Sequence, residues 1–366
     1  MAGYSILGGV ALRNYATPYV YKKLVQSILH VNGKGVDESF VQGQLGNASI
    51  SIPRVALGEG TFRMLGAAVN GGGYNALDPV SPSSDYINVP LTFVYDRVED
   101  IPLIYNDKAG YDLLNNVLDN IAKKITRGIN ALTFATQLST VLNEAGKSGT
   151  DGLISEYDGT DVTALDAYIQ ANTNLDNGDE ALGVDYFPTE NRQAFVRPEF
   201  FGSILKKNGG VVLNSNLGQE MLATGMLNPF KNSEATKVEM RDGYSGEIAG
   251  VPVYKVSAVI WKLAAGFCTV GASESAATAA AATLFDGVDA LVCSSWGTIR
   301  GFSAAENILV VPSQRGQGSI AQPLVHGGCV CISPKSVQLV VNDKFSLPTS
   351  SSAHIYILAP ESKAKA

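Results

Sequence analysis

Between Leu114 and Ala135 the apolar residues keep a helical beat. Leu114, Leu118, Ile121, Ile125, Ile129, Leu132 and Ala135 fall three or four apart and share one face of a 3.6-residue period. Asn115, Asn116, Asp119, Lys123, Lys124 and Arg127 occupy the other face. The pattern predicts one helix over Ala109 to Ala145, with Asp107 as N-cap and Gly146 as C-cap. At 1.5 Å per residue it would span roughly 55 Å, with Gly128 as a point of bending or close approach. Upstream the beat changes to two. Residues 46 to 57 alternate through Ser49, Ile50, Ser51 and Ile52, and Asp85 to Tyr95 reads as a partner strand. Residues 58 to 85, rich in Gly, Asn, Ser and Pro, form a loop tip between them. Residues 46–98 therefore read as a long hairpin whose edges call for cover by another chain. Asp96 to Asp107 reads as a polar bend joining hairpin to helix.

The remaining pattern is less regular. Thr17 to His30 carries Tyr21, Leu24, Val25 and Ile28 at helical spacing, within surroundings that favour an extended arm. Thr163 to Asn172 predicts a helix burying Leu165, Tyr168 and Ile169. Gln193 to Pro198 reads as a strand, and Pro198 to Lys207 as a short helix with proline in its first turn. Tyr244 to Ser257 predicts a hairpin turning near Gly250. The Ala-rich run Ala272 to Leu284 fits a short helix or a surface loop. Ala290 to Cys293 and Gly328 to Val341 are closing strands, and the tail from Ser346 reads as partly exposed. No repeat of fixed period is present.

Composition narrows the function. Only 17% of the 366 residues are charged, against 45% hydrophobic. That low charge points to surface buried against other subunits; a monomer with a polar, uncharged surface is the alternative. A net charge of −7 argues against a protein that wraps nucleic acid by phosphate neutralisation, but not against DNA beside a locally basic face. No apolar run reaches membrane-spanning length, and Met1 to Ser5 lacks a secretion signal, so production in cytoplasm, or release from it by lysis, is expected. Cys329 and Cys331 share one strand face; with His30, His326 and His354 the only histidines, these thiols read as buried core groups, not metal ligands.

Catalytic motifs fail on spacing. Gly58, Gly60 and Gly66 do not match a dinucleotide loop, and Gly146-Lys147-Ser148 lacks the upstream glycine of a phosphate loop. No Gly-x-Ser-x-Gly elbow occurs, and no histidine has a partner to make it a general base. No catalytic residue, cofactor-binding residue or metal ligand is assigned. Asp96, Glu99 and Asp100 read as a solvated bend, with a cation site or inter-subunit salt bridge as the alternative. Lys123, Lys124 and Arg127 make a basic stripe, read as a solvated or inter-subunit face, with packaged DNA as the alternative.

The order of parts carries a resemblance. Arm, long hairpin and long helix are followed by Arg197-Pro-Glu-Phe-Phe-Gly202, Gly246-Glu-Ile-Ala-Gly-Val-Pro-Val-Tyr254, Ala290-Leu-Val-Cys293 and Gly327-Gly-Cys-Val-Cys-Ile-Ser-Pro-Lys335. From about residue 40 to 345 this layout resembles the major capsid proteins of tailed bacteriophages with the HK97-type fold. The resemblance implies an α+β chain divided into an N-terminal arm (1–45), an extended loop (46–98), a peripheral domain with a spine helix (99–154), an axial domain (155–325), a return to the peripheral domain (326–345) and a tail (346–366). It implies a structural protein, not an enzyme. Hexamers and pentamers would build an icosahedral shell around double-stranded DNA, assembled in the host cytoplasm as part of the virion capsid. Scaffolding, portal and decoration proteins are the further partners implied; no membrane or cofactor is. With about 45 residues before the hairpin, a fused scaffolding segment is expected to be absent, and Met1 favours a separate scaffold. No lysine lies between residues 36 and 107, so the Lys–Asn cross-linking of some family members is not expected of this loop. An encapsulin-type compartment, a tail-tube or baseplate subunit, and a soluble enzyme with a long helix are the rival readings.

Overall fold

The computed structural model describes residues 28–38, 49–56, 83–90, 92–95, 99–102, 111–158, 161–180, 183–207, 244–271, 279–280, 285–303, 308–312, 318–345, 347 and 354–357. The Thr17 to His30 run, with its helical spacing in surroundings that favour an extended arm, lies outside them except at Ile28 to His30, which are not helical. Asp107, Asp96, most of the loop tip with its Gly58–Gly66 motif, and most of the tail also lie outside.

The hairpin strands are β1 (Ser49–Ala56) and β2 (Ser83–Pro90), antiparallel from Ser49↔Pro90 to Ala56↔Ser83 without a register slip. The chain continues into β3 (Thr92–Tyr95) and β4 (Glu99–Pro102). The expected bend is thus partly a strand. Glu99 and Asp100 pair with Ala321 and Ile320, and a backbone partner more than 200 positions away overrides their local polarity.

Helix α1 (Tyr111–Ser148) has 38 residues, about 57 Å at the helical rise. Leu118, Ile121, Ile125 and Ile129 are buried, as the periodicity predicts, while Leu132 is only half-buried. The helix runs through Gly146 and stops where the backbone turns left-handed at Gly149 (φ +94°), whose N–H donates to Ala145 O at 3.0 Å. From Ile129 to Leu142 it is enclosed nearly all round, including Asn130, Thr133, Thr136, Gln137 and Ser139. The threonine hydroxyls are accommodated by donating back along the helix, Thr133 to Ile129 O (2.9 Å) and Thr136 to Leu132 O (2.9 Å).

The central sheet contains β5 (Ile154–Glu156), β6 (Arg192–Val196), β7 (Tyr244–Ile248), β8 (Val251–Lys255), β11 (Val288–Ser294) and β15 (Val337–Val341), in the order β5-β15-β11-β6-β8-β7. Helices α2 (Asp161–Asp176) and α3 (Pro198–Lys207) cover one face; α1 and α4 (Ala258–Gly266) cover the other. Alternation along the strands divides the core. Phe195 and Leu291 pack with Phe134, Leu138 and Trp261, whereas Ala194, Val196, Ala290 and Val292 pack with Tyr168, Phe187 and Phe200. In α2 the buried face runs through Ala164, Leu165, Tyr168, Ala171 and Leu175. Ile169 instead stands 42% exposed, one position off that stripe. The β7–β8 turn falls at Ala249 (φ 55°) and Gly250 (φ 77°), a two-residue turn of the kind that matches strand twist.

A second sheet is organised by the 14-residue β14 (Gly318–Cys331), paired by β12 (Thr298–Ser303), β13 (Ile308–Pro312), β3 and β4. The expected single strand Gly328 to Val341 is therefore two strands in different sheets, separated by a 3-10 turn at Pro334–Ser336. β9 (Cys268–Gly271) pairs with β10 (Ala279–Ala280) and β16 (His354–Ile357); within the Ala-rich run the described pair is thus extended, not helical.

Residues 28–38 are clamped against α1, β6 and β12. Gln193 accepts from Val31 N–H (3.0 Å) and donates to Leu29 O (2.7 Å), while Asn130 accepts from Leu29 N–H (3.1 Å). His30 is sealed between Phe134 and Phe195. Gln137 donates to Thr298 Oγ1 (3.2 Å), which leaves its Oε1 to accept from His30 Nε2 (3.0 Å). Arg300 bonds His30 O (3.1 Å) and pairs with Glu38 (2.6 Å).

Candidate functional site

Two surfaces have the form of contact sites rather than reaction centres. The first is the β1–β2 ribbon. Its eight-residue strands extend about 27 Å. Among the described residues no third strand pairs with either one, so both backbone edges are unpaired there. A two-stranded hairpin is marginal by itself in water. The ribbon is rooted firmly, since β2 passes through one residue into β3, which pairs with β14 from Leu324↔Tyr95 to Gly327↔Thr92.

The second is the basic stripe on α1. Lys123 and Arg127 are exposed one turn apart, and Lys124 lies half-buried at their edge with an interaction of its own. Asp119 stands half-buried one turn before Lys123. Like charges at i and i+4 cost a few tenths of a kcal/mol in an isolated helix, so the Lys123–Arg127 pair gains from a facing anion. The structure brings the three predicted side chains onto one flank and provides no enclosed site around them.

Among the described residues the cysteine thiols are wholly or partly buried. Cys268, Cys293 and Cys331 are buried and Cys329 half-buried, all as free thiols. Burial pushes Cys329 up to about 12 and Cys331 up to about 11, and pushes Cys293 up as well. The thiolate is the reactive form, and at pH 8 only about one Cys331 thiol in a thousand carries it. The folded chain is therefore expected to react slowly with an aromatic disulfide reagent at pH 8, and all four thiols quickly in denaturant. Rapid native labelling of the Cys329–Cys331 strand would contradict this. His326 and His354 sit on β14 and β16, in register with Phe93 and Gly271 respectively. Gly146-Lys147-Ser148 lies at the C-terminal end of α1, whereas a phosphate loop needs a helix N-terminus. Among the described residues no group of His, Cys, Asp and Glu could hold a metal ion, and no helix is long and apolar enough to cross a membrane.

What sequence reasoning missed are the polar groups inside the fold. Tyr157 donates to Asp289 at 2.5 Å, and burial and that carboxylate push its phenol up. Asn342 also donates to Asp289 (2.8 Å). Nothing local in the sequence marks these residues as partners.

No family model matches the chain, and no curated protein matches it. Solved structures do. The chain is 12% identical to one in the asymmetric unit of the bacteriophage PhiM1 mature capsid, covering 88% of this chain and 90% of that one with a TM-score of 0.47. Against the capsid of Ralstonia phage GP4 the identity is 12%, the coverage 86% and 84%, and the TM-score 0.47. Against the capsid of a native GTA particle the values are 13%, 88% and 90%, and 0.45.

Proposed function

We propose that this chain is a major capsid protein whose work is self-assembly rather than catalysis. In this reading hexamers and pentamers build an icosahedral shell around double-stranded DNA. The observation that carries the reading is the β1–β2 ribbon, two-stranded among the described residues and anchored through β3 to the sheet of β14. Such a ribbon is stabilised when a neighbouring subunit covers its edges, and the 38-residue α1 supplies a stiff base for it. Residues 99–154 with 326–345 would form the peripheral domain and 155–325 the axial domain. The stripe of Lys123, Lys124 and Arg127 would face either a neighbouring acidic surface or packaged DNA. The shell would assemble in the host cytoplasm.

The test is electron microscopy of the chain expressed alone and with its neighbouring genes. Closed shells or hexamer sheets are expected; a monodisperse monomer or dimer under both conditions would sink the proposal. Tubes or stacked rings would point to a tail subunit, and closed shells holding a cargo enzyme but no DNA to an encapsulin. The ribbon is tested separately by Ile52→Lys with Ile87→Lys, two residues in direct register. The pair is expected to reduce shell yield at least tenfold. Undiminished shell formation would remove the ribbon from the assembly contacts.

A further inference from the structure

Five large apolar side chains stand exposed among the described residues, and four of them sort to opposite ends of the central sheet. Strands β6 and β11 are antiparallel, with Arg192 opposite Ser294 at one end and Val196 opposite Ala290 at the other. Beyond the Arg192 end lies Trp296, 48% exposed in the turn from β11 to β12. Tyr186, 59% exposed, precedes the 3-10 turn Thr189–Asn191 that feeds β6 at the same end. At the Val196 end β8, parallel to β6 with Lys255 beside Val196, passes into α4. There Val259 and Leu263 stand 52% and 40% exposed, one turn apart.

The two ends differ in form. Trp296 is a fixed knob. With the Asn191 amide turned so that its oxygen meets the indole, the orientation that satisfies both of its ends, the Trp296 N–H donates to Asn191 Oδ1 (2.8 Å) and the amide nitrogen donates to Gly33 O (3.2 Å). Behind it Gly297 accepts from Ile332 N–H (2.7 Å), and any Cβ at Gly297 would overlap the Ser336 side chain. With its one donor satisfied inside its own chain, the ring presents contact area and no unmet polar group. The α4 end is concave. A groove of about 500 Å³ runs beside the helix, lined by Ala258, Trp261, Ala265 and Phe285, with Arg197 over the Trp261 ring and paired with Asp286 (3.4 Å), and with Lys262 beside them. That is within the size range of sites that enclose a small molecule or a large side chain.

We propose that copies of this chain join head to tail, with Trp296 of one copy seated in the α4 groove of the next. The occupant is a second copy because knob and groove lie at opposite ends of one sheet. Such a contact is heterologous, and repetition closes it into a ring or extends it as a row. The rims agree with this occupant. Exposed Glu190 and Lys335 flank the residues that hold Trp296; at the groove exposed Lys262 can meet Glu190, and exposed Asp286, which already pairs with Arg197 (3.4 Å), can share Lys335. This inference rests on the self-assembly reading and adds a specific contact to it.

The test is Glu190→Cys combined with Lys262→Cys, one beside the knob and one on the groove edge with Trp296 kept, in the full chain, assembled and then oxidised by dioxygen with copper-phenanthroline. The disulfide requires Cα atoms within about 7 Å, whereas the five residues of β6 alone span about 16 Å between the two ends. A bond between these positions therefore joins two chains. A reducible ladder, absent from wild type and from either single variant, is the expected result. Only monomer, from particles that microscopy shows to be assembled, overturns the contact while leaving the shell reading intact. A ladder from Glu190→Cys alone would place the knob end against itself and overturn it too. If the wild type never assembles, both readings fall. Trp296→Ala gives a second readout. It should lower assembly yield at least tenfold with the melting temperature of the free subunit unchanged, and wild-type assembly by this variant would refute the knob.

Discussion

Arg192→Leu is expected to cost about 3–5 kcal/mol of subunit stability, the largest loss we predict from a single side chain. The side chain is 3% exposed and its three nitrogens are all used. Nε donates to Phe187 O (3.0 Å), Nη1 to Asn172 O (3.0 Å), and Nη2 pairs with the carboxylate of Asp176. The ion pair is the lesser part. Asp176 is 60% exposed, and once unpaired it returns to water at little cost. The two carbonyls are the greater part, because an orphaned buried acceptor costs about 1–3 kcal/mol each. Lysine keeps the charge but not the fork, so Arg192→Lys should lose more than half as much. Denaturant unfolding of the unassembled subunit checks both, and a loss under about 1 kcal/mol for leucine would show that water or rearrangement satisfies these groups. The same substitution should loosen the segment carrying Tyr186, since Phe187 is its neighbour.

The elements that could be read from the sequence are those fixed by local pattern. α1 announces itself by periodicity, the β7–β8 turn by Ala249-Gly250, and the start of α3 by Pro198. Other elements depend on a distant partner. β4 carries Glu99 and Asp100 and is extended because β14 pairs with it. β12 and β13 likewise form along β14. α4 has no polar stripe to set a period, since Val259 and Leu263 are apolar yet face outward while Trp261 and Ala264 face in. Within α1 the burial of the polar residues Asn130, Thr133 and Gln137 has no local signal, because what buries them is the segment 28–38 and the sheet, not their own turn. The stripe of Lys123, Lys124 and Arg127 was legible as a surface feature, but nothing on the helix identifies what faces it.

Gln193→Leu should act differently from its neighbour, by releasing one segment rather than weakening the whole subunit. The Gln193 amide stands in for a missing strand, taking the Val31 N–H and giving an N–H to Leu29 O. Leucine approximates its volume and leaves both backbone groups without a partner, a cost of about 2–4 kcal/mol. Gly35 packs so closely here that an added Cβ would lie 2.5 Å from Gln193 Oε1, so the segment cannot slide to find new partners. Its local stability is then the quantity at risk, and residues 28–38 are expected to open without α1 opening. Hydrogen exchange read by mass spectrometry should show at least tenfold faster exchange at Val31 and Gly35, with the enclosed stretch of α1 from Ile129 to Leu142 little changed. Uniform acceleration across both would mean that the segment is integral to the core. In the shell reading an ordered subunit is what assembles, so release of this segment should also lower shell yield. Normal shells with a loosened segment would separate the clamp from assembly and leave it a stabilising device alone.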